Sequence, residues 1–171
     1  VYKRQDYRGW GESDGRLIAV DGRPEMGPDG TADLRVREIR GVVDPQDQVV
    51  DLLAAVAFVM GEPQVDPARI GLWGFSYGGG HVIEAASRDP RIAAVVAQMG
   101  FMGVSRDTER REIGWARAIQ KARGEIAAIP IGLDQIGGAS ADLARMVAHR
   151  PIDNARKLRA ATLIIDAEDD Q

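Results

Sequence analysis

From Asp66 to Gly80 the chain reads DPARIGLWGFSYGGG, and this stretch decides the fold. Arg69 to Phe75 is a short apolar run that reads as a buried strand. A small-residue helix is expected from Tyr77 to Arg88, closed by Asp89-Pro90. Between them stands Gly74-Phe75-Ser76-Tyr77-Gly78, a G-x-S-x-G pattern that is too short to carry meaning alone. Set between strand and helix, it describes a tight turn that holds the Ser76 hydroxyl out at the carboxyl edge of a sheet. Glycines two residues to either side let strand and helix approach closely. The helix N-terminus offers unpaired N–H groups and partial positive charge to a developing oxyanion. In this setting Ser76 is a candidate nucleophile; the plain alternative is a serine that caps a helix.

Working outward, a helix is expected from Asp44 to Met60. Asp44 suits the N-cap, Pro45 the first helical position, and Asp47 the negatively charged first turn. Val49, Leu52, Leu53, Val56 and Met60 form one apolar stripe, and Gly61 and Pro63 end it. Ile92–Ala97 and Ala161–Ile165 read as two further buried strands. Strands alternating with amphipathic helices indicate an α/β fold, a parallel sheet covered on both faces. Residues 102–158 are different, with helical patterns near Thr108–Ala122, Ser140–His149 and Ile152–Leu158. So long a connection exceeds the dozen or so residues of a plain crossover, and two readings follow: sheet-covering helices with long loops, or a lid.

The totals exclude several function classes. The chain has 171 residues, 44% hydrophobic and 28% charged, and a net charge of −4, which suits one soluble domain. Acids and bases are interspersed, so no concentrated positive face for nucleic acid or anionic lipid is expected. No apolar run approaches the ~20 residues of a membrane-spanning helix. Zero cysteines exclude disulfides and thiol chemistry and fit the cytoplasm, and VYKRQDYRGW holds no apolar stretch to serve as a secretory signal. With two histidines, a histidine-rich metal site is not expected.

Neither histidine reads as the base a serine nucleophile requires. His81 follows Ser76 by about 500° of helical rotation and ~7.5 Å of rise, which points it away, as a packing or surface histidine. His149 falls at a helix end, where a cation suits the dipole. Acids are plentiful: Asp166, Glu168, Asp169 and Asp170 follow the last strand, at the sheet edge expected to carry Ser76. A solvated turn is the alternative, and spacing alone does not choose among the four.

Together these segments resemble the α/β-hydrolase superfamily, particularly its dienelactone-hydrolase-like and acyl-peptidase-like branches. DYRGWGESDGR resembles the loop after the family's fourth strand, and VDPARIGLWGFSYGGG its fifth strand and nucleophile elbow. IAAVVAQMG resembles the sixth strand, and ATLIIDAEDD the seventh with its acid loop. The resemblance implies a partial doubly wound fold with a mostly parallel sheet and a helical insert between the sixth and seventh strands. It further implies a serine hydrolase acting on a small-molecule ester or acyl substrate without metal or organic cofactor. Ser76 would be its nucleophile, Asp170 the triad acid and the Tyr77 N–H one oxyanion donor. The histidine is then expected beyond Gln171 and the second oxyanion donor before Val1, so that this piece alone would be inactive and poorly soluble. A peptidase or acyl-aminoacyl hydrolase, and a non-catalytic binding protein on the same fold, are the alternatives.

Residues 1–5 stand where an apolar strand is expected; Lys3, Arg4 and Gln5 suit a foreign leader, or else a frayed strand. Arg8 and Trp10 are candidates for the pocket mouth, or for surface packing. Phe101 and Met102 are candidates for acyl contact, or for core. Glu109-Arg110-Arg111-Glu112 reads as a solvated helix face.

Overall fold

The computed structural model describes residues 3–22, 24–103 and 108–167. In chain order its elements are β1 (Arg16–Ala19), β2 (Val36–Ile39), β3 (Val42–Val43), α1 (Pro45–Met60), β4 (Gly71–Phe75), α2 (Tyr77–Arg88) and β5 (Ala94–Gln98). There follow α3 (Thr108–Ala122), β6 (Gln135–Ile136), β7 (Ala139–Ala141), α4 (Leu143–Ala148), α5 (Pro151–Asn154), a 3₁₀ turn (Ala155–Lys157) and β8 (Ala161–Ile165).

The central sheet is parallel, in the order β4-β5-β8, with Phe75, Gln98 and Ile165 level at its carboxyl edge. Helix α1 starts as its cap predicts, Asp44 Oδ1 accepting from the amides of Gln46 at 3.1 Å and Asp47 at 3.2 Å. Helix α2 is the buried one, its residues 79–86 all inaccessible, because it lies between the sheet and α1 and α5. Val49 and Val56 of α1, Val82 and Ile83 of α2, and Val95 and Ala97 of β5 form the main core.

Helices on both faces of the sheet were expected; among the described residues they cover one. The strand order explains this. Right-handed crossovers from β4 to β5 and from β5 to β8 run in the same direction along the sheet, so both deliver their helices to the same face. Side chains alternate across a strand, and the uncovered face carries Trp73 at 63% exposure, Phe75 at 50% and Leu163 at 54%.

The insert also differs from expectation. Residues 139–141 form a strand rather than the start of a helix, β7 pairing with β6 and, in parallel, with β3. Asp142 then caps a short α4 by accepting from Arg145 N at 3.2 Å. The helix expected over Ile152–Leu158 is one turn of α5 and the 3₁₀ turn. Helix α3 lies on α4 through Gly114, where a Cβ would stand 2.4 Å from Val147 Cγ1. Arg145 reaches Asp44 and Asp47, both at 3.1 Å, and ties the insert to the start of α1.

Candidate active site

The turn between β4 and α2 is strained at one residue. Ser76 has φ 53° and ψ −118°, a region that L-residues rarely occupy and that costs of order 1–3 kcal/mol. Three backbone hydrogen bonds hold it there. Ser76 N donates to Gln98 O at 2.9 Å, and Ser76 O accepts from Gly79 N and from Phe101 N, each at 3.0 Å. The glycines have unequal roles: a Cβ on Gly74 would meet Gly78 O at 2.2 Å, and one on Gly80 would meet Phe101 O at 2.0 Å. Gly78 has open space around its Cβ direction, so only its neighbours make the close contacts.

Ser76 occupies the N-cap position of α2, yet its side chain makes no capping hydrogen bond and the residue is exposed. The capping alternative therefore does not account for the hydroxyl. Tyr77, the first helical residue, has an amide without an intrahelical acceptor by the geometry of any helix start. Its side chain packs on Ala141, Leu143 and Met146 of the insert, and its hydroxyl, buried, has no hydrogen-bond partner among the described residues. Burial and the nearby Asp44 carboxylate push the Tyr77 phenol well above its ordinary range.

Each parallel strand places its next residue on the same rim: Ser76 after β4, Met99 after β5 and Asp166 after β8. Met99 N donates to Ile165 O at 2.7 Å, closing the rim between β5 and β8. Glu168, Asp169 and Asp170 lie outside the described residues.

Both histidines are interior: His81 is the packing histidine of its two alternatives, and His149 does end a helix but is buried there. His81 is 1% exposed, so its surface alternative is excluded, and it bridges Gln48 Oε1 at 3.1 Å through Nε2 and His149 Nε2 at 3.3 Å through Nδ1. With Gln48 Oε1 as acceptor, His81 carries its proton on Nε2 and accepts from His149 at Nδ1. His149 is not a cation compensating a helix end. At 2% exposure its pKa falls to about 4, through burial first, with Glu84 opposing and Arg88 assisting. Burial, then His149, lowers His81 to about 3. The pairing of His81 with His149 joins positions 68 apart and had no local signal in the sequence.

Arg8 and Trp10 are engaged in holding the loop. Arg8 grips Asp51 through Nε at 2.7 Å and through Nη2, and Trp10 Nε1 donates to Val42 O at 3.1 Å. Met102 packs on the main core and the Phe101 ring on Tyr77, with centroids 5.0 Å apart. Residues 109–112 form an exposed helix face, as expected. Among the described residues no group of three or more acids and histidines is arranged to hold a metal, and no helix is long and apolar enough to cross a membrane.

A parallel sheet, a strained serine at its carboxyl edge and a helix starting on the next residue define an α/β-hydrolase. The fold overlays the α/β-hydrolase GrgF of Penicillium sp. sh18 with a TM-score of 0.58 at 19% identity, over 75% of this chain and 55% of that one. Residues 44–171 match the prolyl oligopeptidase family (Peptidase_S9), and the chain belongs to that family. Among curated proteins it is 35% identical over 96 residues to an uncharacterised Escherichia coli protein of the traX-finO intergenic region, covering 56% of this chain and 26% of that protein. It is 42% identical over 62 residues to the quorum-quenching protein AidA of Acinetobacter baumannii, covering 36% of this chain and 20% of that protein. The chain thus spans about a quarter or less of the curated relatives it matches.

Proposed function

We propose that the protein is a serine hydrolase that cleaves an ester through an acyl-enzyme, with Ser76 as its nucleophile. One observation carries the reading: Ser76 sits in strained backbone at the sheet edge with its hydroxyl uncommitted to the helix it begins. Strain of this kind persists where surrounding contacts over-determine it, and it gathers at functional sites. Ser76 Oγ attacks the carbonyl carbon while its proton passes to a histidine. The resulting oxyanion accepts from Tyr77 N–H, the alcohol leaves with the proton, and water reverses the sequence to release the acid. Asp170 is the acid that orients the histidine. His81 and His149 are committed to each other in the interior, so neither is assigned as that base. Packing of Tyr77 against the insert supports the insert as a cover beside the nucleophile.

The family match over residues 44–171 favours a second reading, cleavage of an acyl-amino or peptide bond by the same groups. Comparing p-nitrophenyl acetate with an acyl-amino-acid p-nitroanilide separates the two. In the full-length protein, Ser76→Ala is expected to lower turnover ~10⁴–10⁶-fold and to abolish fluorophosphonate labelling. Full activity in that variant refutes the assignment.

A further inference from the structure

Ser76 is one of two non-glycine residues with positive φ among those described; the other is Met99, at φ 49°. They stand level with each other. Phe75 and Gln98 are paired in register, so Ser76 and Met99 are the next residues on adjacent parallel strands, whose axes lie about 4.8 Å apart. A left-handed backbone costs a side-chain-bearing residue of order 1 kcal/mol or more, and glycine would avoid that cost. Gly100 follows immediately, so glycine is in use in this very turn, one position later.

The Met99 side chain does not earn its place in the core. It is half-buried and, among the described residues, belongs to neither the main apolar cluster nor the one around Tyr77, whereas Met102 packs on the main core and the Phe101 ring on Tyr77. An apolar side chain is thus held in unfavourable backbone, partly open, on the rim beside the candidate nucleophile. Methionine is long, unbranched and polarizable, which lets it conform to aliphatic surfaces of varied shape.

We propose that Met99 is a specificity-determining residue, its thioether forming an apolar wall for the acyl group next to Ser76 and favouring medium-length aliphatic acyl chains over acetyl. This inference rests on the serine hydrolase reading. The test uses the full-length protein and p-nitrophenyl acetate, butyrate and hexanoate. Met99→Gly relaxes the backbone and removes the wall. It is expected to leave acetate kcat/KM within about twofold, lower hexanoate kcat/KM about tenfold, and leave Tm unchanged or raised. Met99→Leu is expected to restore hexanoate to within about threefold of the original protein. With the unsubstituted protein labelling at Ser76 with fluorophosphonate, equal losses on all three esters, no loss on any, or a Met99→Gly protein that fails to fold overturns the proposal. Failure of the unsubstituted protein to label at Ser76 overturns the hydrolase reading and this one with it.

Discussion

Acidification from pH 7 to pH 5 is expected to destabilise the fold through its two interior histidines. Their folded pKa values lie near 3 for His81 and near 4 for His149, against an ordinary 6.5. A histidine whose pKa is lowered by folding binds its proton more readily in the unfolded chain. Nothing is lost above about pH 6.5, and stability falls from there downward until the folded pKa is reached. Each pH unit inside that window costs ~1.4 kcal/mol per group, so pH 5 costs about 2 kcal/mol for each histidine and up to about 4 for both. Asp89, held low by its hydrogen bond to Arg91, acts mainly below its ordinary 3.8 and stays outside the window. Asp44, raised by burial, acts with the opposite sign. Urea midpoints at pH 7, 6 and 5 measure the effect, and His149→Gln, which keeps a donor for His81, should roughly halve the pH 7-to-5 loss. Equal midpoints at pH 7 and pH 5, or a loss untouched by His149→Gln, would show that these imidazoles are not neutral and buried together.

Ser76→Gly is expected to inactivate the protein while raising its stability by about 1 kcal/mol, because the left-handed turn no longer strains the backbone; a fall in Tm would contradict that. Gly80→Ala, whose Cβ would stand 2.0 Å from Phe101 O, is expected to lose soluble protein or about 3 kcal/mol or more by urea melting. Gly78→Ala, in open space at the start of α2, should be neutral or gain up to ~1 kcal/mol in the same measurement. Glu84→Ala removes the acceptor shared by Arg88 and by Asn154 Nδ2, the latter at 2.9 Å, and is expected to cost about 2 kcal/mol. A Tm within error of the parent would show that α2 and α5 do not depend on it.

What the sequence determined by itself is whatever neighbours along the chain dictate. Helix α1 starts at its Asp44 cap and ends at Gly61, and α2 and β8 fall on the residues expected, because caps, glycines and apolar period act within a few residues. The Ser76 turn was legible for the same reason: strand, glycines and helix are contiguous. Tertiary structure decided the rest. Strands of two to four residues such as β1, β2 and β3 exist only through their partners, Val42 lying opposite Ser140 and Arg16 opposite Ile39. Met99 has no glycine to announce its backbone, and that strain comes from the rim it completes between Ser76 and Ile165. His81 and His149 meet, and lose their charge, only when α2 and the end of α4 pack together. Burial and long-range contact are properties of the folded chain, and no local stretch of sequence contains them.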